Sequence, residues 1–299
     1  MEVYHLPVLL DETIEGLHII PDGIYVDVTF GGGGHSRAIL DKLGKDGKIY
    51  VLDQDLDTVK NVPDDDRMIF IHSNFRHLKR MLRVERIHEV DGILADIGVS
   101  SHQFDKGERG FSFRFQGDLD MRMNQGQKLT AADVIMTYSE EDLTEMFQTL
   151  GEVRNTKTLV KCISEARLKM KIKTIEEFIH SIESVIMGNR AKYLAQVFQA
   201  LRIEVNDELI ALEEMLNDAY DVLKTGGIMA VISFHSLEDR IVKNFFKTGN
   251  VQGDLEKDDY GNISRPFEIL TKKPIEAKAA ELKVNNRARS AKLRLARKN

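Results

Sequence analysis

Four short, nearly unbroken apolar runs lie within the first hundred residues, each separated from the next by a stretch of helical character. Ile24-Tyr25-Val26-Asp27-Val28 follows a Pro21-Asp22-Gly23 turn signal, and Lys48-Ile49-Tyr50-Val51-Leu52-Asp53 follows Lys45-Asp46-Gly47. Met68–Ile71 and Gly92–Ile97 are the third and fourth. A strand apolar on both faces must be covered on both, and with helices between the strands the arrangement that achieves this is a parallel sheet. The first hundred residues are therefore predicted to form a doubly wound α/β unit.

That rhythm breaks after the fourth run. From 107 to 205 the pattern is helical without a convincing buried strand, and Ser139-Glu140-Glu141-Asp142 and Thr174-Ile175-Glu176-Glu177 have the spacing of helix starts with capping boxes. Leu209, Leu212, Leu216, Ala219 and Leu223 then recur at helical spacing, and strand chemistry resumes at Gly226–Ile232. Phe267–Leu270 and Ala291–Ala296 read as two last strands pairing at the sheet edge. The expected organisation is one α/β domain, 1–106 with 206–299, interrupted by a helical insertion at 107–205.

Of 299 residues, 42% are hydrophobic and 30% charged, which suits a folded soluble chain. No apolar run approaches the ~18–20 residues of a membrane span, and the start, Met1-Glu2-Val3-Tyr4-His5, does not resemble a signal peptide. The single cysteine, Cys162, excludes an internal disulfide, a cysteine-rich zinc site and a CxxC redox centre. These features predict a cytosolic (cytoplasmic) protein. The net charge of −6 is unevenly spread: residues 271–299 hold ten Lys/Arg against Glu276 and Glu281, leaving 32 basic against 46 acidic groups elsewhere. Such a tail is either a solvated end or a face for phosphate.

In an open α/β sheet, ligands lie beyond the carboxyl ends of the strands. After strand one comes Thr29-Phe30-Gly31-Gly32-Gly33-Gly34-His35-Ser36, where glycines permit close approach of backbone to ligand at a helix start. Asp53 ends strand two, 22 residues beyond Gly31, a spacing that suits a carboxylate on the hydroxyls of an adenosine ribose. Asn74-Phe75 follows strand three, and Asp96-Ile97-Gly98-Val99-Ser100-Ser101-His102-Gln103 follows strand four. GxGxxG fails, since the sixth position is Ser36 or Arg37, and no GxxxxGK[ST] is present. Without a pyrophosphate cradle, S-adenosylmethionine fits better than a dinucleotide. Another nucleotide enzyme and a non-catalytic α/β module remain open on these features.

Seven ordered blocks then carry a specific resemblance. They are His5–Leu10, Asp27–Ser36, Asp96–Ser101, Arg109–Phe113, Asp118–Met123, Phe234–Arg240 and Arg287–Arg294, spanning nearly the whole chain. Together they resemble the bacterial ribosomal RNA small subunit methyltransferase H family. The resemblance implies a class I, Rossmann-like S-adenosylmethionine-dependent methyltransferase with a mostly parallel seven-stranded sheet and an inserted helical domain. It implies methylation of N4 of a cytidine in the decoding region of 16S rRNA, within a small ribosomal subunit or late precursor. Cofactor contacts fall on Gly33, Gly34, His35, Asp53, Phe75, Asp96 and Gln103. The family usually has a larger residue at Gly32 and a proline at Asn286.

Cytosine N4 is a poor nucleophile, so acceptors must orient its N–H bonds. Asp96 is expected to accept from the amine or to bind cofactor only, with Ser100 and Ser101 holding the base and Phe234-His235 shaping the pocket. Bland roles stand beside each: Asp53 as a helix cap, His35 as a loop cap, His235 as a packed histidine, Phe75 as core. Arg109, Arg114 and Arg122 alternate with Phe111, Phe113 and Phe115, either an RNA surface or an ordinary linker. Arg287, Arg289, Lys292 and Arg294 are expected to grip RNA backbone. The histidines are too dispersed for a metal site. The insertion carries either an RNA surface or a homodimer interface. A small-molecule methyltransferase would gain nothing from the basic tail, and a non-catalytic RNA-binding factor would need no methyl donor.

Overall fold

The computed structural model of the chain describes residues 6–99, 107–255, 261 and 265–299. The chain divides into two units, Met1–Gly98 with Leu209–Asn299, and Val99–Glu208. The boundaries read from the sequence, 106/107 and 205/206, both fall inside the second unit.

The first unit is built on one sheet. Strands β1 (Ile24–Asp27), β2 (Lys48–Asp53), β3 (Met68–His72), β4 (Val90–Asp96) and β5 (Leu223–Ser233) run parallel. Strand β8 (Lys292–Lys298) pairs antiparallel to β5, and β6 (Phe267–Ile269) antiparallel to β8, giving the order β3-β2-β1-β4-β5-β8-β6. The described sheet has eight strands, because a two-residue strand, β7 (Ile275–Glu276), adds to β8. It was invisible in sequence because two residues carry no period.

Alternation along each strand sorts the core into two layers. Val26, Tyr50, Leu52, Ile93, Ala95, Met229 and Val231 face one layer, with Leu78 and Leu82 of α3 (Leu78–Val84). Residues of the later helices Glu208–Val222 and Ser236–Thr248 complete that layer. Tyr25, Ile49, Val51, Leu94, Ile228 and Ala230 face the other, against Leu17, which follows α1 (Leu10–Gly16), and Ile39 and Leu40 of α2 (Gly34–Leu40). Every central strand is thus covered on both sides, as its sequence requires.

The second unit has its own apolar core, drawn from helices α4 (Ala131–Thr137), α5 (Glu140–Thr149), α6 (Thr156–Arg167), α7 (Ile175–Ile182) and α8 (Arg190–Asn206). Its helix starts follow the sequence signals. Ser139 accepts from Asp142 N at α5, and Thr174 and Glu177 form a reciprocal capping box at α7. The helices α9 (Glu208–Val222) and α10 (Ser236–Thr248) then return the chain to the sheet.

Candidate active site

Strand β1 lies between β2 and β4, and each of these three neighbours ends in an aspartate: Asp27, Asp53 and Asp96. Asp27 is buried. It accepts from Thr29 N at 3.0 Å and Thr29 Oγ1 at 3.2 Å, and from Ser36 Oγ at 2.5 Å. One carboxylate therefore ties down both ends of the glycine loop. Within the loop Gly31 (φ 51°) and Gly33 (φ 74°) occupy the left-handed region, where only glycine is unstrained. A Cβ on Gly33 would also stand 2.8 Å from the Phe30 ring. Gly33→Ala is accordingly expected to destabilise the protein by about 1–3 kcal/mol, read as a shift in the urea midpoint. An unshifted midpoint would show that the loop relaxes without cost.

Gly33 caps α2, and Gly34 is packed so closely that a Cβ would meet Pro7 Cγ at 2.3 Å. His35 is buried, and its Nε2 lies 2.9 Å from the Val8 carbonyl. A carbonyl only accepts, so Nε2 carries the hydrogen and Nδ1 is left facing Asp96 Oδ2 at 3.7 Å.

Asp53 accepts from Gly31 N and Asp55 N, both at 2.8 Å. The short helix that follows, Leu56–Asn61, is capped by Asp55 through Asp57 N, so Asp53 has no capping duty. Burial pushes its pKa up to about 6, with the charges of Asp55 and Asp27 adding to the rise and the two N–H donors opposing it. Phe75 opens a one-turn helix capped by Asn74 and packs half-buried on the apolar layer below.

Asp96 is held by its own N–H, which donates to Thr29 Oγ1 at 2.6 Å. Its Oδ1 is buried and has no hydrogen-bond partner among the described residues. Burial raises its pKa to about 6, and the charges of Asp27 and Glu238 push the same way while His35 opposes them. Ser100, Ser101 and Gln103 lie outside the described residues. His235 caps α10: Nδ1 accepts from Glu238 N at 3.4 Å, and Nε2 stands 2.9 Å from Glu238 Oε1. Both ring nitrogens thus face Glu238.

Asp27 was missed as a site residue in the sequence. Its signal was an acid ending an apolar strand immediately before a glycine loop, a place where burial must be repaid by donors.

Several cations expected on RNA are committed elsewhere. Arg109 is buried, and its Nη2 donates to the carbonyls of Arg122 (3.1 Å) and Met123 (3.0 Å). Arg122 makes a two-point pair with Asp120 (2.8 and 2.7 Å) and donates to the carbonyls of Gln125 and Gln127. Phe111 is in the core and Phe113 packs edge-on against Phe198. These residues build the fold of their segment and do not present a surface; Arg114 and Phe115 are the exposed members. In the basic segment, Arg294 forms a two-point pair with Asp239 at 2.7 and 3.1 Å, and Lys292 reaches the same carboxylate at 3.7 Å. Arg294 is buried in this pair, so it fastens β8 to α10 and offers no free charge to phosphate. Arg287 is half-buried and Arg289 exposed.

The residues present fit an adenosyl sulfonium ligand. Three carboxylates stand at adjacent strand tips beside a glycine loop, one keeps a buried oxygen without a donor among the described residues, and a cation there relieves their mutual repulsion. A parallel 3-2-1-4-5 sheet closed by antiparallel strands, with this cluster at its carboxyl edge, defines a class I S-adenosylmethionine-dependent methyltransferase. Comparison with known proteins agrees: residues 2–299 match the model of the MraW methylase family, and the chain belongs to that family. It is 53% identical over 296 residues to the ribosomal RNA small subunit methyltransferase H of Bacteroides thetaiotaomicron, covering 99% of this chain and 97% of that one. It is 52% identical over 296 residues to the protein of the same name from Flavobacterium johnsoniae, covering 99% and 98%. Among the described residues no helix is long and apolar enough to cross a membrane.

Proposed function

We propose that this methyltransferase methylates N4 of a cytidine in the decoding region of 16S rRNA, on a small ribosomal subunit or a late precursor in the cytoplasm. The observation that carries the reading is Asp96: a buried carboxylate oxygen without a donor among the described residues, at the tip of β4, beside the glycine loop.

S-adenosylmethionine, when bound, supplies an electrophilic methyl group on a sulfonium. Asp53 has lone pairs left after Gly31 and Asp55 to accept from ribose hydroxyls. The backbone of Gly33 and Gly34 lets a ligand come close, with His35 fixed behind it. Asp96 Oδ1 accepts an N–H of the cytosine amine, which holds density on N4 in line for attack, and takes up the proton the amine sheds. A carboxyl with a pKa near 6 accepts that proton and releases it again at neutral pH. Ser100 and Ser101 are assigned to the base and Gln103 to the cofactor from the sequence alone, and His235 shapes the pocket from its capping position. The helical insertion recognises substrate, with Arg114 and Phe115 as its exposed cation and ring and Arg287 and Arg289 contributing from the sheet unit.

The test is labelled methyl transfer to small subunits lacking the modification, followed by nucleoside mass spectrometry. N4-methylcytidine in the RNA is the expected product. Label in another nucleoside, or none in RNA despite measurable binding of S-adenosylmethionine, would overturn the substrate assignment.

A further inference from the structure

A second basic surface lies away from the glycine loop. Residues 76–88 carry Arg76, Lys79, Arg80, Arg83 and Arg86 against one acid, Glu85, in a chain whose net charge is −6. They belong to the turn Phe75–His77 and to α3, which packs Leu78 and Leu82 inward against the layer shared with α9. The outward face borders an open groove of about 510 Å³, lined by Arg76, His77, Lys79, Arg80, Arg83 and Val84 with one acid, Asp218.

The cations in and beside this groove divide into two sets. Arg76 donates to Glu214 at 2.5 Å, Lys79 pairs with Asp221, and the Lys79 N–H donates to Asp218 at 3.0 Å. Glu214 and Asp221 of α9 are thus paired with cations, and Asp218 is held by a backbone N–H. Arg80, Arg83 and Arg86 are exposed, and their side chains make no hydrogen bond or ion pair among the described residues. Three guanidinium groups at spacings of three on and just beyond one helix repel each other, and among the described residues none of them is paired with an acid. Arginine also presents a planar fork that matches a phosphate oxygen pair, which lysine does not.

We propose that the α3 groove is a second contact for the substrate RNA, with Arg80, Arg83 and Arg86 on its phosphodiester backbone. This inference rests on the RNA reading given above and extends it: the chain holds a structured RNA at a place where no chemistry occurs. Contacts to backbone alone position the RNA and carry no sequence information.

The experiment compares the wild-type protein with Arg80→Ala/Arg83→Ala, using a 16S rRNA transcript and assembled small subunits as probes over a range of salt. Each phosphate contact contributes about 0.7–0.9 to the slope of log K against log salt, so the double variant is expected to lose about 1.5 from that slope. Near 0.1 M salt its affinity for the transcript falls about 25-fold. Its melting temperature and its affinity for S-adenosylmethionine stay unchanged, since neither arginine has a partner in the fold. Unchanged transcript binding and slope in the variant would overturn the proposal. So would a loss confined to assembled subunits, which would assign the groove to a protein component. Failure of the wild type to bind or methylate RNA would instead bring down the RNA reading, and this inference with it.

Discussion

Asp96→Asn is expected to remove nearly all methyl transfer while making the ligand-free protein more stable at neutral pH. The two effects share one cause. Burial raises the Asp96 carboxyl from 3.8 to about 6, so the folded protein holds a proton that the unfolded chain has already lost. A group raised in this way favours the fold below 3.8 relative to its ionised state. That advantage is lost as pH climbs to about 6, and the cost is complete at pH 7. The size of the shift sets a ceiling of about 3 kcal/mol, and about 1–2 kcal/mol is expected because the side chain retains some solvent contact. Asparagine cannot ionise, so the variant's unfolding free energy should decline less steeply than the wild type's between pH 4 and 7, the remaining decline belonging to Asp53. Loss of the amine's proton acceptor should lower kcat by about 10²–10⁴-fold. Full turnover in this variant, or a stability profile matching the wild type between pH 4 and 7, would remove Asp96 from the role assigned to it.

Asp53→Ala should act on binding of the methyl donor before it acts on chemistry. A carboxylate accepting from two ribose hydroxyls makes charge-assisted bonds of about 1.5–3 kcal/mol each, so loss of both weakens donor affinity by about 10²–10⁴-fold. Calorimetric titration with S-adenosylmethionine measures this directly. The same variant leaves Gly31 N without its acceptor, which loosens the loop that Asp27 still holds from its other side. The wild-type titration carries a matching pH signature. With Asp53 and Asp96 both near 6, protonation below that pH removes the negative charge that a sulfonium meets, so affinity should fall as pH drops from 7 to 5. Asp53→Ala with undiminished affinity would place the ribose elsewhere.

Much of the sheet unit was readable along the chain because each of its signals is local. The turns at Pro21-Asp22-Gly23 and Lys45-Asp46-Gly47 precede β1 and β2, and the capping boxes mark helix starts in the insertion. The strand-tip aspartates were legible for the same reason. An acid ending an apolar run is carried to the carboxyl edge of a parallel sheet whatever the rest of the chain does. Asp27 escaped notice because its function is to hold the loop, through Ser36 nine residues on, a contact that only folding makes. The extra strand β7 escaped because two residues next to β8 extend a sheet without leaving a pattern.

The basic residues show where local reading stops. Arg109, Arg122, Arg294, Arg80 and Arg289 look alike in sequence, each a cation near others of its kind. The fold buries Arg109 against backbone carbonyls, pairs Arg122 with Asp120 and brings Asp239, 55 residues away, onto Arg294. It leaves Arg80 and Arg289 exposed. By itself the sequence determined the order of strands and helices, the glycine loop and the acids at the strand ends, because period, turn chemistry and alternation act over a few residues. Only the tertiary structure decided which charges are spent inside the protein and which remain for a ligand, because an ion pair or a buried guanidinium depends on groups that only folding brings together.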